Sequence, residues 1–398
     1  MHARLAEGIN WVGAIDWNIR DFHGYITGRG STYNAYLAQG QEKTALIDTV
    51  KRTFLDTLVA NVSELVEPET IDYIIANHGE PDHSGSLPRM LETTGATLVT
   101  NEKGVSSLGG YYDTSGWPIE VVKTGDSLDL GGRSLSFVQV PMVHWPDSMV
   151  TYCPEERVLF SNDAFGQHFA SSQRFDDQND LAVIMQEAKT YYANIVMLYG
   201  RPIAKALESV AGLDIGMIAP AHGVAWRSHI STILDAYKAW IVCQARPKVL
   251  VIYESMWHST DLMAHEIARG AAREGVEVKL FDVSRTDRTV LATEVLDAAA
   301  IAFGSPTLNM TLMPEIAGVL TYLKGLAPKG KAGFAFGSYG WAPSGPRAVA
   351  EYLEAMDFEI LREPLTAQWR PKADVLEQCL AAGAMLAERA QQAGSGCR

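Results

Sequence analysis

Cysteine is scarce in this chain: four among 398 residues, at Cys153, Cys243, Cys379 and Cys397, with no Cys-x-x-Cys pair. That excludes a disulfide framework and a rubredoxin-like iron site, both of which need clustered thiols. Apolar runs are short, and none approaches the roughly 20 residues that cross a bilayer. The opening Met-His-Ala-Arg-Leu-Ala-Glu-Gly lacks the apolar core of a signal peptide. Positive charge is also in deficit, with 33 Lys and Arg against 47 Asp and Glu and a net charge of −14. Such a balance argues against a nucleic-acid groove and against anionic membrane surfaces. Neither a Gly-x-Gly-x-x-Gly fingerprint nor a Gly-Lys-Ser/Thr phosphate loop is present, so direct use of NADH or a nucleotide triphosphate is not expected. What remains is a cytoplasmic enzyme long enough for two or three domains with substantial cores.

The chain is rich in metal-ligand residues at one place. Asn77 to Gly85 reads Asn-His-Gly-Glu-Pro-Asp-His-Ser-Gly straight after the apolar stretch Ile71 to Ala76. His78, Glu80, Asp82 and His83 therefore project from one loop at a strand end. Two imidazoles and two carboxylates so close are too many for a single structural zinc and suit two divalent ions. Exposed loops often carry such residues for solubility, but three later segments repeat the theme. His144 follows the alternating stretch Ser134 to Val140, Asp163 follows Val158 to Phe160, and His222 follows Ile218 to Pro220. In each case an apolar strand runs into a ligand-type side chain beside Gly or Pro, where a rigid element presents it.

Near Ala245-Arg246-Pro247-Lys248 the pattern changes from many short strands to alternating strands and helices. Strands are expected at Val249 to Tyr253, Val276 to Val283, Ala299 to Gly304 and Lys331 to Phe336. Helices are expected at Leu262 to Arg273, around Val295 to Asp297, at Ile316 to Leu323 and at Pro346 to Met356. A helix from Ile230 to Val242 closes the first region, and the tail from Gln391 to Arg398 is expected to fray. The predicted organisation is a domain over 1–245 and a doubly wound parallel sheet over 246–398, with ligands beyond the carboxyl ends of its strands. Three loops sit at those ends. Ser255, Met256, Trp257, His258, Ser259 and Thr260 open the first helix, whose N–H groups and hydroxyls suit a phosphate. Pro306, Thr307, Leu308 and Asn309 follow the third strand, and Ser338, Tyr339, Gly340 and Trp341 the fourth. Their small residues admit a flat ring, against which Tyr339 or Trp341 can pack.

The ligand loop followed by a lone His, Asp and His resembles the metallo-β-lactamase fold, an αββα sandwich. Most hydrolases of that fold have a second His where this chain has Glu80, and the Glu form resembles the flavodiiron proteins. Arg29 to Leu37 (Arg-Gly-Ser-Thr-Tyr-Asn-Ala-Tyr-Leu) and Phe160 to Gly166 also resemble their segments. The second half resembles flavodoxin as fused in that family, with His258 where many such loops have Gly. The resemblance implies FMN in the second domain and two irons in the first. One iron would be held by His78, Glu80 and His144, the other by Asp82, His83 and His222, with Asp163 bridging. His83 is the ligand a loop can most easily turn away. Three carboxylates against four positive charges leave a diferrous pair nearly balanced, and mixed imidazole and carboxylate ligands suit iron.

The implied activity is reduction of O2 to water, of NO to N2O, or of both, with FMN refilling the irons. Electrons would come from a separate rubredoxin, another small redox protein or a reductase. Domains of this size are about 15–18 Å in radius of gyration. Two cofactors in one chain then stand far apart, and the resemblance implies a head-to-tail homodimer or dimer of dimers that brings them together. His23, Tyr25, His168, Tyr191 and Tyr192 are the candidate proton donors, and Trp145 a candidate cofactor wall. Two other readings compete: a zinc hydrolase that carries a flavodoxin domain, and a flavin electron carrier with a degenerate first domain.

Overall fold

The structure, a computed structural model, describes residues 2–395. These divide into two compact units: one runs to Tyr191 and includes Tyr199–Tyr237, the other comprises Tyr192–Leu198 and everything from Lys238 onward.

The first unit is a sandwich of two sheets with helices outside. One sheet has seven strands in the order Ala3–Ala6, Ile9–Trp11, Tyr36–Gln39, Thr44–Ile47, Tyr73–Ile75, Thr97–Thr100, Ile119–Val121. Its first strands pair antiparallel, and the last three join in parallel. Period-two alternation divides its side chains between two cores. Leu37, Leu46, Ile74 and Leu98 stand in register and face outward, where Leu58, Val62, Met90 and Leu91 from the flanking helices cover them. Tyr36, Ile47, Ile75 and Val99 face inward against Phe137, Met149, Val158 and Phe160 of the second sheet. That sheet orders its strands Ser127–Asp129, Ser134–Gln139, Met149–Cys153, Val158–Asn162, Met217–Pro220.

The second unit holds a parallel sheet ordered Glu277–Asp282, Arg246–Tyr253, Ala298–Gly304, Ala332–Tyr339, with the fifth position shared by Glu359–Ile360 and Leu365–Gln368. This is the flavodoxin-like strand order. The helices Ser259–Ala271 and Ala373–Ser395 cover one face of it, burying Met263, Ile267, Cys379 and Leu386. They approach so closely that a Cβ at Gly383 would stand 2.0 Å from the Ile267 carbonyl oxygen.

Two expectations are corrected here. The stretch Val295 to Asp297 is not helical throughout: the helix is Arg288–Val295, and the next strand begins at Ala298. Asp297 is instead drawn to the buried Lys248 ammonium, which Glu294 also accepts at 2.9 Å. The tail from Gln391 does not fray at once, because docking on the first helix of this unit carries the last helix to Ser395; Gly396–Arg398, including Cys397, lie outside the described residues. Cys153, Cys243 and Cys379 are free and buried, and burial pushes the Cys153 thiol up to about 11 and Cys379 to about 12, so neither is a ready nucleophile.

Candidate metal centre and the cleft of the second unit

The ligand loop begins where the strand Tyr73–Ile75 ends, and Asn77 fixes its course. Its backbone N–H and side-chain amide donate to the two oxygens of Asp48 at 2.9 and 3.1 Å, while its own amide oxygen accepts from Thr151 Oγ1 at 2.8 Å. Asp48 directly follows the strand Thr44–Ile47 of the first sheet and Thr151 lies in the second, so the loop is tied to both. Pro81 then starts the single helical turn Pro81–Ser84, which carries Asp82 and His83. Pro suits that first position because its missing N–H has no partner there in any case.

All seven sequence-predicted ligands converge, in two groups: His78, Glu80, His144 and Asp163, and Asp82, His83 and His222. Asp163 divides its oxygens between them. Oδ2 lies 3.3 Å from His144 Nε2 and 3.6 Å from His78 Nε2, while Oδ1 lies 3.0 Å from His83 Nε2 and 3.5 Å from His222 Nε2. Glu80 Oε2 completes the first group, 3.2 Å from His78 Nε2 and 3.3 Å from His144 Nε2. Asp82 Oδ2 completes the second, 3.3 Å from His83 Nε2 and 3.1 Å from His222 Nε2. The loop turns His83 inward.

These spacings fit metal ions. Ligand atoms about 2.1 Å from one ion, at 90–110° to each other, stand roughly 3.0–3.4 Å apart. Orphaned atoms point the same way: both Asp163 oxygens, Asp82 Oδ1 and both ring nitrogens of His83 are buried without a hydrogen-bond partner among the described residues. His83 and Asp163 are close enough for an ion pair, yet not aligned for a hydrogen bond. Buried polar atoms are rarely left so, and a cation between them supplies what is missing.

Electrostatics agree. Burial lowers the His78 imidazole, but hydrogen bonds to Asp147 and Glu80 outweigh it and bring His78 up to about 10. Burial likewise opposes His144 and His83, and carboxylates carry them to about 10 and about 9: Asp163 and Glu80 for His144, Asp82 and Asp163 for His83. Burial would raise the Asp163 and Glu80 carboxyls, and the surrounding imidazoles pull both below the usual range. The cluster demands positive charge. Divalent ions supply it while leaving the histidines neutral, and their binding releases the protons.

Behind the ligands stand residues that sequence reasoning did not single out. Asp147 lies 3.1 Å from His78 Nδ1 and accepts the Gly79 N–H at 2.8 Å, which turns the other ring nitrogen of His78 toward the cluster. The Thr32 carbonyl oxygen does the same for His222, 2.7 Å from its Nδ1. Such partners fix tautomer and ring angle. A carboxylate three residues after His144 was the available signal for Asp147. None existed for Thr32, because a backbone carbonyl carries no residue type.

The candidate proton donors separate. His23 Nε2 reaches Glu80 Oε1 at 2.9 Å from a half-exposed hairpin tip. Tyr25 OH meets His168 Nε2 at 2.5 Å, and Ser31 Oγ meets its Nδ1 at 2.7 Å. The His168 ring stands 4.8 Å from that of His222, and Tyr191 packs against both. Burial and the neighbouring His222 hold His168 well below its ordinary value, so it is neutral. Tyr192 belongs to the other unit, its ring 5.3 Å from Trp240. Trp145 meets the His78 ring edge-on at 4.9 Å.

In the second unit a cleft of about 560 Å³ opens beyond the carboxyl ends of the strands. Of the predicted residues, Met256, Trp257, Ser259, Pro306, Thr307, Leu308, Asn309, Ser338, Tyr339, Gly340 and Trp341 line it. Three do not line it. Thr260 is buried with Oγ1 3.0 Å from Ser338 Oγ, Ser255 Oγ accepts the Asp261 N–H at 3.4 Å, and His258 is exposed. His258 adopts φ 62°, the left-handed conformation that explains why Gly is common at such a position. Trp369 and Arg370 line the cleft and went unpredicted, because their strand is interrupted and its loop reads as ordinary polar chain. The volume suits a cofactor. The fit is backbone-shaped: a Cβ on Gly340 would meet the Trp369 ring at 2.8 Å.

Residues 32–223 match a family described as ODP family beta lactamase, and residues 251–383 match flavodoxin. The chain is 44% identical to a nitric oxide reductase of Moorella thermoacetica, over 97% of this chain and 98% of that one. It is 39% identical to a rubredoxin-oxygen oxidoreductase of Megalodesulfovibrio gigas, over 94% of each. Among solved structures, the flavodiiron protein of Giardia intestinalis superposes with a TM-score of 0.96 at 37% identity, covering 100% of this chain and 98% of the other. Fold and site define a two-domain redox protein, a metallo-β-lactamase-like domain with a metal centre followed by a flavodoxin-like domain. The chain belongs to the flavodiiron proteins, oxidoreductases whose cofactors are FMN and a pair of irons. No helix among the described residues is long and apolar enough to cross a membrane.

Proposed function

We propose that this protein reduces O2 to water, NO to N2O, or both, at two irons held by His78, Glu80 and His144 and by Asp82, His83 and His222, with Asp163 bridging. The observation that carries this reading is the division of the two Asp163 oxygens between the ligand groups. FMN in the cleft of the second unit stores two electrons and the irons two more, matching four for O2 and exceeding the two needed for a pair of NO molecules. The chain's own part is to hold the metals, balance their charge and deliver protons. Tyr25 and His168 are the candidate route, since their 2.5 Å contact links a phenol to a ring packed on His222. Tyr192 is a weaker candidate, given its place against Trp240.

The electron donor is a rubredoxin or another small redox protein or reductase, as the name of the Megalodesulfovibrio relative suggests. We place the protein in the cytoplasm, as a head-to-tail homodimer or dimer of dimers in which the FMN of one subunit serves the irons of another. Neither nucleic acid nor membrane is a partner.

The test is amperometric. Iron- and FMN-loaded protein is reduced without air, O2 and NO are added separately, and the loss of each is recorded. Consumption of O2 without accumulated peroxide, or of NO with N2O formed, supports the reading. If neither gas is consumed by protein carrying both irons and FMN, the reading fails, and zinc-dependent hydrolysis is the next activity to assay.

A further inference from the structure

Resting on that reading, we propose that Asn34 is a positioning residue for His222, and through it for the second of the two metals alone. Asn34 is buried between the short strand Ser31–Tyr33 and the strand Tyr36–Gln39. Its partners are the backbone groups on either side of His222. The Asn34 N–H donates to the Ala221 carbonyl oxygen at 2.8 Å. Its side-chain Nδ2 donates to the Pro220 carbonyl oxygen at 2.7 Å and to that of Gly223 at 3.1 Å. The turn begins where the strand Met217–Pro220 ends, and side chains take over there from the sheet ladder. Tyr36 OH donates to the Pro220 carbonyl oxygen at 2.6 Å, and Thr32 Oγ1 accepts the Gly223 N–H at 2.6 Å. The Asn34 amide joins the two flanks.

The direction of the His222 ring depends on that grip. The partner of its Nδ1 is the Thr32 carbonyl oxygen at 2.7 Å, a backbone group with no rotamer of its own. Any change in the spacing between residues 32–34 and the turn therefore swings the ring. The amide itself cannot turn over. Trp11 Nε1 donates to Asn34 Oδ1 at 2.7 Å, so a flipped amide would set N–H against N–H there and oxygen against two carbonyl oxygens at the turn. Trp11 is held in its turn, buried with the Arg174 guanidinium 4.5 Å from its ring centroid. Selectivity follows from the unequal ligand groups, four side chains in the first and three in the second. His78 takes its direction from Asp147, on another segment, so loosening the His222 turn leaves the first group intact.

The test follows the two irons separately in the full FMN-loaded protein, by release to a chelator and by Mössbauer spectroscopy of the iron that stays. In Asn34→Ala one iron should leave roughly 10- to 100-fold faster than in the wild type, the usual cost of losing an outer-sphere partner. The other should leave at the wild-type rate, and the spectrum after the fast phase should show a single iron environment. FMN content should stay unchanged. A residue that merely stabilises the sandwich would speed both releases by the same factor; that result, or two unchanged rates, would overturn the proposal. If Asn34→Ala does not fold, Trp11→Phe serves instead, since it keeps a ring beneath Arg174 and removes only the N–H that orients the amide. It should speed the same release about fivefold, the worth of one hydrogen bond, and equal effects on both irons again count against the proposal. Failure of the reductase reading looks different, since the wild-type protein would then consume neither gas whichever iron the variants release.

Discussion

The candidate metal centre and the cleft of the second unit are built by opposite means. In the first, every candidate ligand but His144 is buried, and a side chain or carbonyl behind His78 and His222 dictates where each points. In the second, two tryptophans stand largely in solvent, Trp257 at 87% and Trp341 at 82% exposure, and the shape comes from turns, glycines and a left-handed His258. A site that must hold like charges together needs each oxygen and nitrogen placed, because a misdirected buried carboxylate is costly. A site for a flat ring needs a slot, and many weak contacts share the work. Damage should therefore be concentrated in the first site and diffuse in the second.

The sharpest break of this contrast is Asp163→Asn. It neutralises the carboxylate that, among the described residues, faces both candidate ligand sets, and should lower turnover about a thousandfold or more, the scale of several kcal/mol that metal chemistry supplies. Iron should be lost in metal analysis while flavin absorbance stays; retained turnover with both irons bound would refute the bridging role. Asp147→Asn comes next. It leaves every ligand in place and frees His78 to rotate, so metal affinity should fall roughly 10- to 100-fold, as for other outer-sphere partners. Competition with a chelator measures it, and an unchanged affinity would mean that backbone alone positions His78. In the cleft, Trp341→Ala should weaken FMN by only about three- to tenfold, the worth of one aromatic contact. A complete loss of flavin in that variant would show that the cleft, too, hangs on one residue.

The smallest effect concerns acid. Burial raises the Glu294 carboxyl, but hydrogen bonds from Lys279 and Lys248 outweigh it and hold the group below its ordinary 4.5. The folded value is the depressed one, so the stability it adds is present above about 4.5 and fades as pH falls through the folded value. Glu294→Gln should flatten that acid limb in melts followed by circular dichroism. An acid limb identical in the variant and the wild type would place the loss elsewhere.

The candidate metal cluster was legible because its chemistry is written in residue types. His and Asp at strand ends announce themselves, and each of the seven lands in the cluster. Asp48, Asn77 and Asp147 were less visible, since their work is to hold the ligand loop by hydrogen bonds, and any polar residue reads the same in sequence. The parallel sheet was readable from its apolar runs, with strand ends displaced by a few residues. Its last helix, Ala373–Ser395, escaped notice because small residues, Ala382, Gly383, Ala387 and Ala390, fill most of the buried side. Trp369 shows a different limit: its place in the cleft depends on the break between Glu359–Ile360 and Leu365–Gln368, a topological event with no local signature.

Asn77 has a mechanical consequence. It is a rivet through both layers of the sandwich, fastened to Asp48 on one side and to Met149 and Thr151 on the other. The sheets cannot slip past each other without tearing the residue next to His78. Loss of the irons and loosening of the sandwich should then be a single event, with the colour of the metal centre and the signal of the first domain's strands vanishing together on heating.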